Sequence, residues 1–502
     1  MNRRAFLQSA AALCAAGTYP LPATAAHRRP NIILMMADDL GYGDTGFNGN
    51  AAIQTPHLDA MRGEGMRFTR FYAGGPVCSP TRATCLTGRH YLRMGIVNAN
   101  DGRLPAPEIS LAEVCRASGY RTGHFGKWHL GTLTKTEKDS NRGGPESAAF
   151  YAPPWEHGFD TCFSTEALVP TWDPARTPAE NKNQWGEPGS VWRSAYWHEN
   201  GQRATENLEG DDSRVILDRV EPFIREAAAA QQPFLSVIWF HTPHAPTVGG
   251  PADRERYAHL PEPVQHYYAC VTALDEQAGR LNVMLKELGQ EENTLIFFAS
   301  DNGPEGTGDG ALTNRCHGST GGLRGRKRSL FNGGITVPAF VKWPGVVQPG
   351  ATCTVPCSTL DYFPTVSALL QHAMSDARPM DGVNLLPLLQ GDKAPRTKPI
   401  PFHIQDREKY MFGAPTFGLI ENRYKLLTHL AEDQTNDMLF DMEADPEEQH
   451  NIVATMPEIA VAYRAQLEQF VASCRESHEG RDYTEPYSPL AAFKEPLRAW
   501  ST

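Results

Sequence analysis

Four short stretches of the chain are apolar at nearly every position: residues Asn31–Ala37, 233–240, 293–299 and 338–343. Runs this short, with no regular polar alternate, predict strands buried on both faces, as in the middle of a parallel sheet. Between them the apolar period becomes that of a helix. Val215, Ile216, Val220, Phe223 and Ile224 form one stripe within residues 211–230, and a longer helix is expected from His266 to Leu288. Strands alternating with helices predict an α/β fold, a large mixed, mostly parallel sheet flanked by helices. Such sheets bind ligands beyond the carboxyl ends of their strands. Residues 151–202 have no such period. They are rich in Pro, Trp, Asn and Gly and too long for a simple connection, so they read as an inserted loop bordering the site and setting its specificity. After Gly391 the pattern changes again. Residues 399–404, 418–430 and 438–442 read as antiparallel strands and 457–473 as a helix. The expected division is a leader at 1–25, a main domain at 26–392 and a smaller C-terminal subdomain at 393–502.

Charge and targeting narrow the picture. The chain of 502 residues has a formal net charge of −11; residues 1–25 carry two arginines and no acid, so the remainder carries −13. That balance argues against nucleic acid and against an anionic membrane surface as partners. Arg3-Arg4-Ala5-Phe6-Leu7, the apolar Ala10–Ala16 and Ala23-Thr24-Ala25 read as an export signal with a twin-arginine-like start, a plain secretory signal being the alternative. No later stretch approaches the roughly 20 apolar residues of a membrane span. The expectation is an exported protein, periplasmic or secreted, without stable membrane insertion. The ten cysteines show no zinc spacing. A Cys353–Cys357 disulfide stays open beside the simpler reading of buried free thiols.

Candidate chemistry stands at the strand ends. Asp38-Asp39 follows the first apolar run and Asp301-Asn302 follows the third. These are hard oxygen ligands, suited to Ca²⁺ or Mg²⁺ and not to zinc. Alone, Asp-Asp fits a solvated turn or a helix cap, and Asp-Asn-Gly a hairpin turn. What changes the weighing is Pro76-Val77-Cys78-Ser79-Pro80-Thr81-Arg82-Ala83-Thr84-Cys85-Leu86-Thr87-Gly88. This run closely resembles the signature of the type I sulfatases, of alkaline-phosphatase-like fold. Gly126-Lys127-Trp128-His129-Leu130-Gly131, Pro243-His244, and Lys327 ahead of Gly333-Gly334 match further motifs of that family in order. Arg423-Tyr424-Lys425-Leu426 and Asp445-Pro446-x-Glu448 resemble its C-terminal subdomain.

The resemblance implies that Cys78 is oxidised to Cα-formylglycine by a formylglycine-generating enzyme. It implies a metal, calcium with magnesium as the alternative, held by Asp38, Asp39, Asp301, Asn302 and the modified Cys78. The hydrated aldehyde would attack sulfur through one hydroxyl and expel sulfate when the other loses its proton. Arg82, one turn after Cys78, would hold the aldehyde hydrate. Lys127 would bind a sulfate oxygen and His129 would take the proton, the two sharing one side of an extended segment. His244 would donate toward the leaving group, and Lys327 would stand between sulfate and leaving oxygen. His241, Trp172, Asp173 and Arg324 are candidate sugar contacts, His241 being equally a structural residue. Trp155, Trp185, Trp192 and Trp197 add aromatic faces to the insert. Three positions depart from the family pattern: Cys85, Asn332 and Thr336. The expected function is hydrolysis of sulfate esters on a saccharide, a sulfated galactose or N-acetylgalactosamine unit of an algal galactan or a glycosaminoglycan. The alternatives are a phosphodiester or phosphonate monoester hydrolase on the same scaffold, and a non-catalytic glycan-binding protein of the same ancestry.

Overall fold

A computed structural model describes residues 29–179, 185–306, 310–405, 415–430, 436–484 and 487. The leader at 1–25 lies outside the described residues. In chain order the strands are β1 Asn31–Ala37, β2 Met66–Phe68, β3 Phe71–Tyr72, β4 Arg121–Lys127, β5 Thr161–Thr165, β6 Trp197–His198, β7 Phe234–Trp239, β8 Thr294–Ser300, β9 Phe340–Lys342, β10 Ala351–Cys353, β11 Cys357–Ser358, β12 Ile400–His403, β13 Phe417–Glu421, β14 Tyr424–Thr428 and β15 Met438–Asp441. Nine of them form one sheet in the order β10-β2-β9-β8-β1-β7-β4-β5-β6. Its centre, β8-β1-β7-β4-β5, is parallel throughout. β9 and β6 join it antiparallel, which makes the sheet mixed.

The continuous apolar runs have a direct cause. Along β1, Ile32, Leu34 and Met36 pack on one face with Ala83, Leu86, Leu111 and Val366. Ile33 and Met35 pack on the other with Val215, Ile216, Val220 and Phe223 of the helix Asp212–Ala229 and with Leu274 and Leu281 of the helix Glu262–Glu287. Helices therefore cover both faces, and neither face has room for a polar alternate. Among the described residues no helix is long and apolar enough to cross a membrane.

Three sequence expectations need correction. The insert is not one irregular loop: its residues 161–165 form β5, paired with β4 in the sheet interior. Thr-Cys-Phe-Ser-Thr is short and hydroxyl-rich, so it carries little strand signal. Residues 418–430 are two strands, β13 and β14, joined at Asn422, whose φ of 48° makes the turn. The final helix runs Pro457–His478, past the expected end.

The four-stranded sheet β12-β13-β14-β15 is antiparallel, as expected. It touches the main domain through Ile420, Leu427 and Phe440, which pack on Leu330, Phe331 and Ile335. A buried ion pair, Lys425–Glu448 at 2.7 Å, stands at the same junction. Asn332 accepts from Lys425 Nζ (2.9 Å) and gives its backbone N–H to Glu448 (2.6 Å). The departure at Asn332 is thus accommodated by a polar clamp from the small subdomain. The Thr336 hydroxyl is buried without a hydrogen-bond partner, and nothing in the structure explains it.

Candidate active site

The carboxyl ends of β1, β4, β7 and β8 converge with the start of the helix Cys78–Thr87. β1 delivers Asp38 and Asp39, β8 delivers Asp301 and Asn302, β4 ends on Lys127, and the loop after β7 carries His244. All are buried. Local backbone makes this possible. Gly126 has φ of 102°, and a Cβ there would lie 1.9 Å from the Trp239 carbonyl oxygen, so only glycine lets β4 pass β7 at this point. Asp39 (φ 67°) and His129 (φ 57°) are held in the left-handed region, a concentration of backbone strain typical of functional sites.

The ion pairs are specific. Lys127 Nζ lies 2.5 Å from Asp38 Oδ2, and Lys327 Nζ pairs with Asp39 Oδ1. Arg82 donates to Asp301 (2.8 Å) and to the Lys127 carbonyl (2.8 Å), stands 3.3 Å from Asp38, and stacks over Trp239. The one-turn spacing from Cys78 to Arg82 therefore does bring both to one centre. Burial alone would raise the Asp38 carboxyl, but Lys127, His244 and Arg82 hold it well below its usual range. Burial, with Asp38 beside it, pushes the Cys78 thiol up to about 12. An unmodified Cys78 is therefore protonated at neutral pH and a poor nucleophile.

Ligand atoms of Asp38, Asp39, Cys78 and His244 all lie within 4.8 Å of one another. That spread fits one cation with oxygen ligands at about 2.3–2.6 Å. Asp39 Oδ2 and Asn302 Oδ1 are buried with no hydrogen-bond partner, which is costly unless something positive satisfies them. Asn302 Nδ2 donates to Asp39 Oδ1 (2.7 Å), which fixes its amide and leaves Oδ1 free.

The two histidines differ from the sequence picture. His129 does not share a strand face with Lys127, because the chain turns left-handed at that residue. Its Nε2 meets Asn100 Oδ1 at 2.8 Å, while its Nδ1 is buried and unpartnered. Burial, then Lys127 and Arg142, hold its ring well below the usual histidine range, hence neutral. An amide oxygen only accepts, so Nε2 carries the proton and Nδ1 the lone pair. His244 Nδ1 faces the Ala245 carbonyl at 2.7 Å, and burial with Lys127 lowers its pKa to about 3. Its Nε2 is then an acceptor 3.7 Å from Asp39, among the ligand atoms, and not a resting proton donor.

The candidate sugar contacts are mostly occupied. His241 is fully buried, with Nδ1 on Asp212 (2.8 Å) and Nε2 on Thr165 (2.7 Å), so it is structural. Asp173 accepts from the Gly210 N–H, and Trp172 packs against Gly250. Arg324 bonds the Glu448 carbonyl (3.0 Å) and lies over Phe331. Trp192 and Trp197 are buried, their indole N–H groups on Leu168 O and Asp139.

Two residues escaped the sequence reading. Glu305 pairs with Arg315 and Arg328, stands 4.0 Å from Lys327, and so anchors the lysine loop. Its signal was visible, an acid three residues after Asn302. Asn100 carried none, because Asn-Ala-Asn-Asp-Gly reads as a turn. It acts on the site through His129, so Asn100→Gly, which keeps the left-handed φ of 66°, tests the side chain alone. We expect kcat to fall about tenfold to a hundredfold with KM within about twofold. Equal changes in both would show a merely structural role.

The sulfatase family model matches residues 30–372, and the model "N-sulphoglucosamine sulphohydrolase, C-terminal" matches 325–475. Arylsulfatase A of Bos taurus is 32% identical over 87% of this chain and 86% of its own. N-acetylgalactosamine-6-sulfatase of Canis lupus familiaris is 32% identical over 76% and 69%. The solved structure of Ps i-CgsB in complex with k-i-k-neocarrahexaose superposes with a TM-score of 0.72 at 25% identity, covering 89% of this chain and 93% of that one. The chain belongs to the sulfatase family. It is a sulfuric ester hydrolase of the alkaline-phosphatase-like fold.

Proposed function

We propose that this enzyme removes sulfate from a saccharide, using Cys78 oxidised to formylglycine and a bound calcium ion, magnesium being the alternative. The observation that carries the metal is the pair of buried unsatisfied oxygens, Asp39 Oδ2 and Asn302 Oδ1, beside the Asp38–Asp39–Cys78–His244 cluster. Asp38, Asp39, Asp301 and Asn302 would hold the ion with position 78. The ion would supply Lewis acidity. The oxidised residue would supply a hydroxyl nucleophile where the thiol offers none.

The chain's other residues have separable tasks. Arg82, fixed by Asp301 and the Lys127 carbonyl, holds position 78 and balances charge. Lys127 and Lys327 present ammonium groups to sulfuryl oxygens, with Lys327 also meeting the leaving oxygen. His129 offers the Nδ1 lone pair to a hydroxyl proton. Asp38, Asp39 and Asp301 are matched in number by Arg82, Lys127 and Lys327, so an added divalent ion makes the site positive and suited to an anionic ester. The saccharide assignment, a sulfated galactose or N-acetylgalactosamine unit, rests on the named relatives. The producing cell must supply the enzyme that oxidises Cys78, and the leader would export the product to the periplasm or beyond.

Dialysis against EGTA tests the metal. Activity on a sulfated galactosamine should fall at least about a hundredfold, the melting temperature should drop, and Ca²⁺ should restore both. Full activity after chelation, with no metal found by elemental analysis, would rule the ion out.

A further inference from the structure

The strands β10 and β11 end and begin on cysteines, with only Thr354-Val355-Pro356 between them. The Cys353 carbonyl accepts from the Thr69 N–H (3.0 Å) and the Cys357 N–H donates to the Arg70 carbonyl (3.0 Å), so both cysteines are anchored to adjacent residues of one neighbouring segment. Their sulfurs point at the same carbonyl, Val355 O, at 3.6 and 3.5 Å. Cys353 lines an open cavity of about 560 Å³ with Met66, Val346, Thr352 and Leu388; Cys357 lies behind it, fully buried.

We infer that Cys353 and Cys357 form a thiol–disulfide exchange site, closed into a disulfide by a disulfide donor that enters this cavity. The Cys353 thiolate attacks one donor sulfur and releases one thiolate. The Cys357 thiolate then attacks the Cys353 sulfur, forms the S–S bond and releases the second. The two cysteines lose two electrons together, and the donor leaves as two thiols carrying the two protons. The order follows from access, because Cys353 lines the cavity and Cys357 does not. The site bears on the catalytic helix. β11 leads into Thr359, whose hydroxyl accepts from the Gly74 N–H (2.9 Å) and touches Thr84 of the helix Cys78–Thr87 (3.3 Å).

The test treats the folded, reduced full chain with oxidised glutathione, quenches in acid, alkylates and digests. Residues 343–393 make one tryptic peptide holding these two cysteines and no other. It should resist alkylation and be about 2 Da lighter than its reduced form, while Cys115 and Cys270 remain alkylatable after unfolding. Cys357→Ser should instead trap glutathione on Cys353, adding about 305 Da, and Cys353→Ser should leave Cys357 unmodified. Alkylation of both cysteines in the treated wild type, or glutathione persisting on its Cys353, would overturn the inference. Labelling of Cys357 in Cys353→Ser at the wild-type rate would overturn the order of attack.

Discussion

Replacing Cys78 with alanine should lower turnover of a sulfate ester by at least about 10⁴-fold while the protein still folds. The reason lies in how little else in the site attacks. Lys127 and Lys327 are engaged as ammonium groups with Asp38 and Asp39, and His129 is held by Asn100. The Cys78 side chain is small and buried at a helix start, its sulfur 3.6 Å from Asp38, so alanine removes one weak contact and little packing. Circular dichroism and a melting curve close to wild type, beside lost turnover, are the expected results. Turnover within tenfold of wild type would mean that another group is the nucleophile.

Lys327→Ala should cost about 10²–10³ in kcat/KM, the scale of losing one charged donor aimed at the reacting group. Although burial opposes it, Asp39 and Glu305 hold this ammonium charged, and the Lys327 N–H on the Pro304 carbonyl (2.9 Å) fixes its backbone. The loss should be smaller on an aryl sulfate, whose phenolate leaves without help, than on a sugar sulfate. Arg326→Ala is the control. Arg326 holds the Glu305 and Gly318 carbonyls at 2.7 and 2.6 Å, so its removal should cost about 1–3 kcal/mol of stability but less than tenfold in turnover. Equal kinetic losses at both positions would mean that the loop, and not the Lys327 charge, is what counts.

The central strands were legible because burial on both faces removes polar alternates, and Asp38, Asp39, Asp301 and Asn302 were legible because each pair ends such a run. β5 and β2 were not, being short segments whose strand character comes from the neighbours they pair with. The ammonium and guanidinium groups at 82, 127 and 327 were found through motif spacing, and the structure brings them together on Asp38, Asp39 and Asp301. The histidines show the limit. Which nitrogen of His129 or His244 carries a proton depends on Asn100 Oδ1 and the Ala245 carbonyl, partners that side-chain type and spacing do not reveal. Internal partners were equally hidden elsewhere: His241, Trp192 and Trp197 satisfy their polar atoms inside the protein, which residue type and spacing do not show.

The most direct measurement is the mass of the tryptic peptide 71–82 from protein produced together with a formylglycine-generating enzyme. The account predicts a peptide about 18 Da lighter than the thiol form, in proportion to specific activity across preparations. An intact thiol at Cys78 in fully active protein would contradict it.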